Sequence, residues 1–155
     1  MRPRIVLSLL AVLISCATTL VPPGRSVVLP ASESEALLKS CSRSGPSAVE
    51  GLWDVPTDVV AVLEQDLHKL SRLKATGCCS LGGKIRHPEE YFRQYLGLVV
   101  GGKRVVYVNA FKLAATHPRW QAAPVGVCDG GSDYWGALYE PESRRFYDLA
   151  INGSA

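Results

Sequence analysis

The residues of this 155-residue chain that can do covalent or metal chemistry are few: five cysteines, Cys16, Cys41, Cys78, Cys79 and Cys128, and three histidines, His68, His87 and His117. A thiol-dependent reaction needs a thiolate, a base in reach and a group that orients the base. Cys128, followed by Asp129, is the best nucleophile of the set. No spacing in the sequence puts His68, His87 or His117 beside it. The same segment, Cys128 to Asp133, carries two carboxylates around a glycine pair, short of the roughly six to eight oxygens a calcium ion takes, and reads as a polar turn between strands. Zinc held by Cys78, Cys79, Cys128 and His87 would need adjacent cysteines to do what a spaced pair normally does. Phosphate and hydrolase loops are missing too: there is no GxxxxGK[ST], no GxGxxG after a strand and no GxSxG, and Leu81-Gly82-Gly83-Lys84 is too short for a phosphate loop. No catalytic residue, metal or cofactor is therefore assigned.

The chemistry of the cysteines depends on where the chain goes. Arg2 and Arg4 precede ten uncharged, mostly aliphatic residues, Ile5 to Ile14, which is a signal-peptide pattern and about half the length a spanning helix needs. Leu13-Ile14-Ser15-Cys16, at the end of that run, resembles the lipobox of bacterial lipoproteins. The resemblance implies removal of residues 1–15, a lipid on Cys16 and a domain facing the periplasm. Ala17 stands where an acidic residue would favour inner-membrane retention, so the outer membrane is expected. Ordinary secretion is the alternative, because Ser15-Cys16-Ala17 also fits small-x-small cleavage.

Export to an oxidising compartment would leave four cysteines, an even number suited to two disulfides. Neighbours across a trans peptide have α-carbons about 3.8 Å apart, whereas disulfides usually want roughly 4.4–6.8 Å. Cys78 and Cys79 are therefore each expected to reach a distant partner, Cys41 or Cys128. One bridge with two free thiols is the alternative.

Around these residues the chain divides into a signal peptide (1–15), an extended tether (16–34) with three prolines, and a single domain (35–155). The convincing helix starts at Pro56-Thr57, with Asp58 in its first turn and Lys69, Arg72 and Lys74 toward its end, and Gly77 is the expected stop. Val60, Leu63, Leu67 and Leu70 form its apolar stripe, leaving Glu64, Gln65, His68 and Arg72 toward water. Two strand-rich runs flank Gly101-Gly102, a primed-turn hairpin signal. That turn sets Val100 opposite Lys103, Leu98 opposite Val105, Leu96 opposite Tyr107, Gln94 opposite Asn109 and Phe92 opposite Phe111. A second hairpin turns at Pro141. The fold class is α+β, one main amphipathic helix packed on an antiparallel sheet of about four or five strands.

Three features bear on partners. Gln94 and Asn109 face each other as a carboxamide pair, which buried amides usually satisfy within the fold. Trp120, in a loop between hairpins, and Tyr134 and Trp135, after the glycine turn, are candidates to anchor an envelope protein or glycan; Trp135 and Tyr139 also alternate with Tyr134 and Leu138 as core-facing strand residues would. Removing residues 1–15 takes two of the 17 basic residues and no acid, leaving 15 basic against 14 acidic, a balance with no electrostatic footprint for nucleic acid. From Tyr91 onward, segments such as "VVYVNAF" and "VCDGGSDYWGALYEPESRRFYDLAING" look like those of small uncharacterised exported bacterial proteins, which implies a shared domain and no particular activity. The expected function is that of a lipid-anchored envelope protein with a binding or scaffolding domain; a secreted enzyme using Cys128 and a soluble periplasmic protein are the alternatives.

Overall fold

A computed structural model describes residues 24–39 and 41–154 of the chain. The lipobox, Cys16 and the signal peptide lie outside the described residues. Its centre is the hairpin of β3 (Phe92–Val100) and β4 (Lys103–Phe111). Gly101 and Gly102 both take positive φ, 57° and 71°, as a primed turn requires. The pairing runs from Val100 opposite Lys103 through Gln94 opposite Asn109 to Phe92 opposite Phe111, the register expected from the turn.

β5 (Tyr134–Glu140) continues the antiparallel sheet from β4, and β6 (Arg145–Ile151) from β5. The outer edge of β3 is shared by two short strands. β1 (Ser26–Val28) runs parallel to residues 93–95, and β2 (Val49–Leu52) antiparallel to residues 98–100. Six strands are thus found among the described residues, more than the four or five expected. β1 also moves the tether boundary: Ser26–Val28 is extended, but its extension is sheet pairing, and Leu29, whose amide donates to the Tyr95 carbonyl, is buried. The approach of the 53–55 loop requires glycine on β3, because a β-carbon on Gly97 would sit 2.0 Å from the Trp53 carbonyl oxygen.

Both faces of the sheet are covered. On one, α2 (Thr57–Asp66) and the 3-10 helix Leu67–Arg72 place Leu63, Leu67 and Leu70 against Tyr95, Val106, Val108 and Trp135. On the other, α1 (Ser34–Leu38) and the chain before it bring Leu29 and Leu37 onto Leu96, Leu98, Val105 and Tyr107. This is an α+β fold with one main helix on a mostly antiparallel sheet. Among the described residues no helix is long and apolar enough to cross a membrane.

The α-helix ends eleven residues before Gly77, the expected stop. Leu67, Leu70 and Leu73 recur every third residue, the repeat of a 3-10 helix, and tightening to that form keeps all three against the core. Glu64, expected in water, is instead the helix's staple to the sheet. Its side chain is 5% exposed and meets Arg93, 1% exposed, at 3.0 Å, while the Tyr95 hydroxyl donates to it at 2.6 Å. Burial and then the Glu64 charge push the Tyr95 phenol well above its ordinary value. Two residues on, buried Asp66 accepts two hydrogen bonds from the Arg144 guanidinium at 2.9 Å and one from the Tyr139 hydroxyl at 2.8 Å, with Lys69 Nζ also at 2.8 Å. Burial alone would raise the Asp66 pKa; these donors outweigh it and hold the carboxyl well below the carboxylate range.

Candidate functional site

The four described cysteines gather around the C-terminal residues Asn152 and Gly153. Cys41 and Cys128 are bonded to each other, S–S 2.10 Å, across 87 residues of chain. Closing a loop of that length is worth about 4–5 kcal/mol in the chain-entropy account. Cys78 and Cys79 are free and exposed, with the Cys79 thiol donating to Cys78 Sγ at 2.8 Å. The expectation of two bridges with Cys78 and Cys79 as separate ends is therefore corrected: the two residues assigned as distant partners pair with each other. The bridge also removes Cys128 as a nucleophile, since its sulfur is no longer a thiol.

Asn152 ties this corner together. Its Nδ2 donates to the carbonyls of Val127 and Asp129, on either side of Cys128, at 2.7 and 3.0 Å. Its own carbonyl accepts from Ser80 Oγ at 2.9 Å, and the next amide, Gly153, donates to the Ser42 carbonyl at 3.0 Å. The segment after Cys41 then carries Arg43 into the protein. Arg43 donates to Asn152 Oδ1 at 2.9 Å, to the Tyr107 hydroxyl at 3.2 Å and to Asn109 Oδ1. All three acceptors are neutral. Among the described residues its Nε has no partner, although the residue is buried. Asn109 in turn donates to Gln94 Oε1 and to the Val125 carbonyl, both at 2.9 Å. Gln94 Nε2 donates to the carbonyls of Trp120 and Ala123, and its Oε1 accepts the Val125 amide at 2.9 Å. The carboxamide pair is thus consumed by the fold, and its work is to fasten the 120–125 loop to the hairpin.

The three aromatics expected at a partner surface are buried: Trp120 is 9% exposed, Tyr134 8% and Trp135 0%. Trp120 packs edge-on to Phe92 and Phe111 at 5.3 and 5.8 Å between ring centres. Trp135 lies under α2 and meets Tyr91 at 5.5 Å. Their area is spent inside the molecule. Among the described residues, the large apolar side chains that do reach solvent are Val28, Leu52, Leu81 and Leu113.

Among the described residues no histidine forms a hydrogen bond with a cysteine sulfur. His68 and His87 are exposed, the first beside the Gln65 carbonyl and the second 3.4 Å from Glu89. His117 sits between Phe111 and Tyr134, 3.2 Å from the Tyr134 hydroxyl, and burial lowers its pKa. In the Cys128 to Asp133 turn the Asp129 carbonyl serves Asn152, and the Asp133 carboxylate lies 3.5 Å from Lys112. No group of three or more metal-ligating side chains occurs among the described residues.

Beside the cysteine corner opens a polar cavity of about 270 Å³, lined among others by Ser44, Ser47, Thr76, Tyr107 and Asp148. Ser44 links it to the thiols, its hydroxyl lying 3.8 Å from Cys78 Sγ. Arg43 and Asn152 are the organising residues that sequence reasoning missed. Arg43 reads as a solvated loop cation, and only its position two residues after a bridged cysteine hinted otherwise. Comparison with protein-family models, with curated proteins and with solved structures found nothing that matches this chain.

Proposed function

We propose that the protein is exported, carries a lipid on Cys16, and presents from the periplasmic face of the outer membrane a domain that binds or scaffolds and does not catalyse. The observation that carries this reading is the Cys41–Cys128 bridge, because structural disulfides form and persist in oxidising compartments. It agrees with the basic-then-apolar N-terminus and its lipobox-like end. A binding or scaffolding role is favoured over a thiol mechanism at Cys128 because that sulfur is bonded, and the polar side chains of the hairpin are spent on holding loops. The partner is an envelope protein or glycan, met on a surface other than the buried Trp120, Tyr134 and Trp135.

The test is the intact mass of the full-length product recovered from bacterial membranes, alkylated with and without prior reduction. The expected mature chain starts at Cys16 with added acyl mass, with two alkylated thiols before reduction and four after. A chain without lipid that starts elsewhere would replace the anchor by ordinary secretion. An alkylated Cys128 in unreduced protein would bring back the thiol mechanism.

A further inference from the structure

The exposed thiols are placed as a chelating pair. Successive side chains of an extended chain point to opposite sides. Cys79 instead takes a left-handed conformation, φ 77°, and the two sulfurs come to 2.8 Å on one side of the turn. The turn is held from both ends. Ser80 N–H donates to the Cys78 carbonyl, and Gly82 N–H to the Ala75 carbonyl at 2.8 Å. Ala75 N–H donates to the Gly83 carbonyl, also at 2.8 Å, and Thr76 N–H ties the segment to Leu149 of β6. The donors are therefore set before any ligand arrives, which lowers the entropy cost of binding.

We propose that Cys78 and Cys79 are a two-sulfur site for a thiophilic trivalent metalloid, an arsenical whose arsenic keeps one substituent and takes both thiolates. The donor count selects this class. A closed zinc site wants four ligands, and no cluster of three or more ligating side chains occurs among the described residues. An arsenical with one substituent is complete with two sulfurs. Soft sulfur donors also suit a soft centre better than a hard cation. Closure of the pair on itself as a disulfide is opposed by the adjacent α-carbons, about 3.8 Å apart where roughly 4.4 Å or more is usual.

The step balances without an oxidant or reductant. Two S–As bonds form, the arsenic–oxygen bond breaks, and the oxygen leaves as water with the two thiol protons. One thiol attacks the arsenic and its neighbour, already 2.8 Å away, closes the ring. Neither the lipid nor export is needed for this chemistry.

Titration of the full chain with phenylarsine oxide, read by intact mass and peptide mapping, tests it. The expected product is one arsenic per chain on the peptide holding Cys78 and Cys79, with the Cys41–Cys128 bridge intact, released by a dithiol competitor and not by a monothiol. Cys78→Ser and Cys79→Ser should each weaken binding about 100-fold or more, the loss of the linked second contact. Both side chains are exposed, so the variants keep the native circular dichroism spectrum. No adduct, an adduct of equal strength in either variant, or a pair isolated as a disulfide that refuses the probe would each overturn the proposal.

Discussion

The two buried arginines, one on each face of the sheet, are compensated in opposite ways, although the far face also pairs its own buried carboxylate, Glu140, with Lys103 at 2.6 Å. Under α2, Arg93 meets Glu64, and Asp66 meets Arg144 and Lys69, so each buried charge has an opposite one within hydrogen-bond reach. On the far face, Arg43 is buried among Asn109, Asn152 and the Tyr107 hydroxyl, with no carboxylate among its partners. Both arrangements join distant segments. They differ in what is left behind when one member is removed. A lost Glu64 strands Arg93, a buried cation, whereas a lost Arg43 strands only neutral acceptors, which is the cheaper loss.

The comparison is tested hardest at Glu64. Glu64→Ala removes the acceptor of both Arg93 and the Tyr95 hydroxyl, and urea unfolding should show a loss of about 3–5 kcal/mol, the usual cost of breaking a buried pair from one side. A loss under about 1 kcal/mol would mean that the Arg93 contacts to the Glu89 and Tyr91 carbonyls suffice, and the distinction between the two arginines would fall.

Asp66→Asn should cost less, about 2 kcal/mol at neutral pH, since charged hydrogen bonds become neutral ones while the geometry is kept. Here pH supplies the sign. The Asp66 carboxyl is held below its ordinary value near 3.8, so its stabilisation is fully present above that value and is lost as pH falls toward the lowered one. Wild type and variant should therefore differ most at neutral pH and converge in acid; a gap that widens on acidification would contradict the pairing.

Legibility in the sequence followed locality. The β3–β4 register was readable because two glycines fix it from within the segment, and the apolar stripe of α2 because its period is local. β1 and β2 were not. They are three and four residues long, and β1 finds its partner 67 residues away on an edge of β3 that no short-range pattern announces. The same limit governs the cysteines. Adjacency argued correctly against a bond between Cys78 and Cys79, but connectivity is decided by which loops meet, and it is the Asn152 clasp around Cys128 and the Gly153 contact to Ser42 that bring Cys41 to its partner. Trp120 misled because loop position suggests exposure, whereas Gln94 pulls that loop down onto the hairpin through the Trp120 carbonyl.

The smallest effect, and the sharpest for the comparison, is expected at Arg43. Arg43→Met keeps a long apolar stem in place and removes a buried cation that has neutral partners only. Two terms oppose each other. Oδ1 of Asn109 and of Asn152 each lose a donor, a cost of about 1–3 kcal/mol apiece if the group stays dry, while the desolvation penalty of an uncompensated charge is relieved. The two terms nearly cancel, and the net loss should be about 1 kcal/mol, well under that of Glu64→Ala in the same urea assay. The loss should also stay flat from neutral pH into acid, because no carboxylate takes part. A cost equal to that at Glu64 would show that Arg43 answers a negative charge on the far face, and the two buried arginines would then obey one rule.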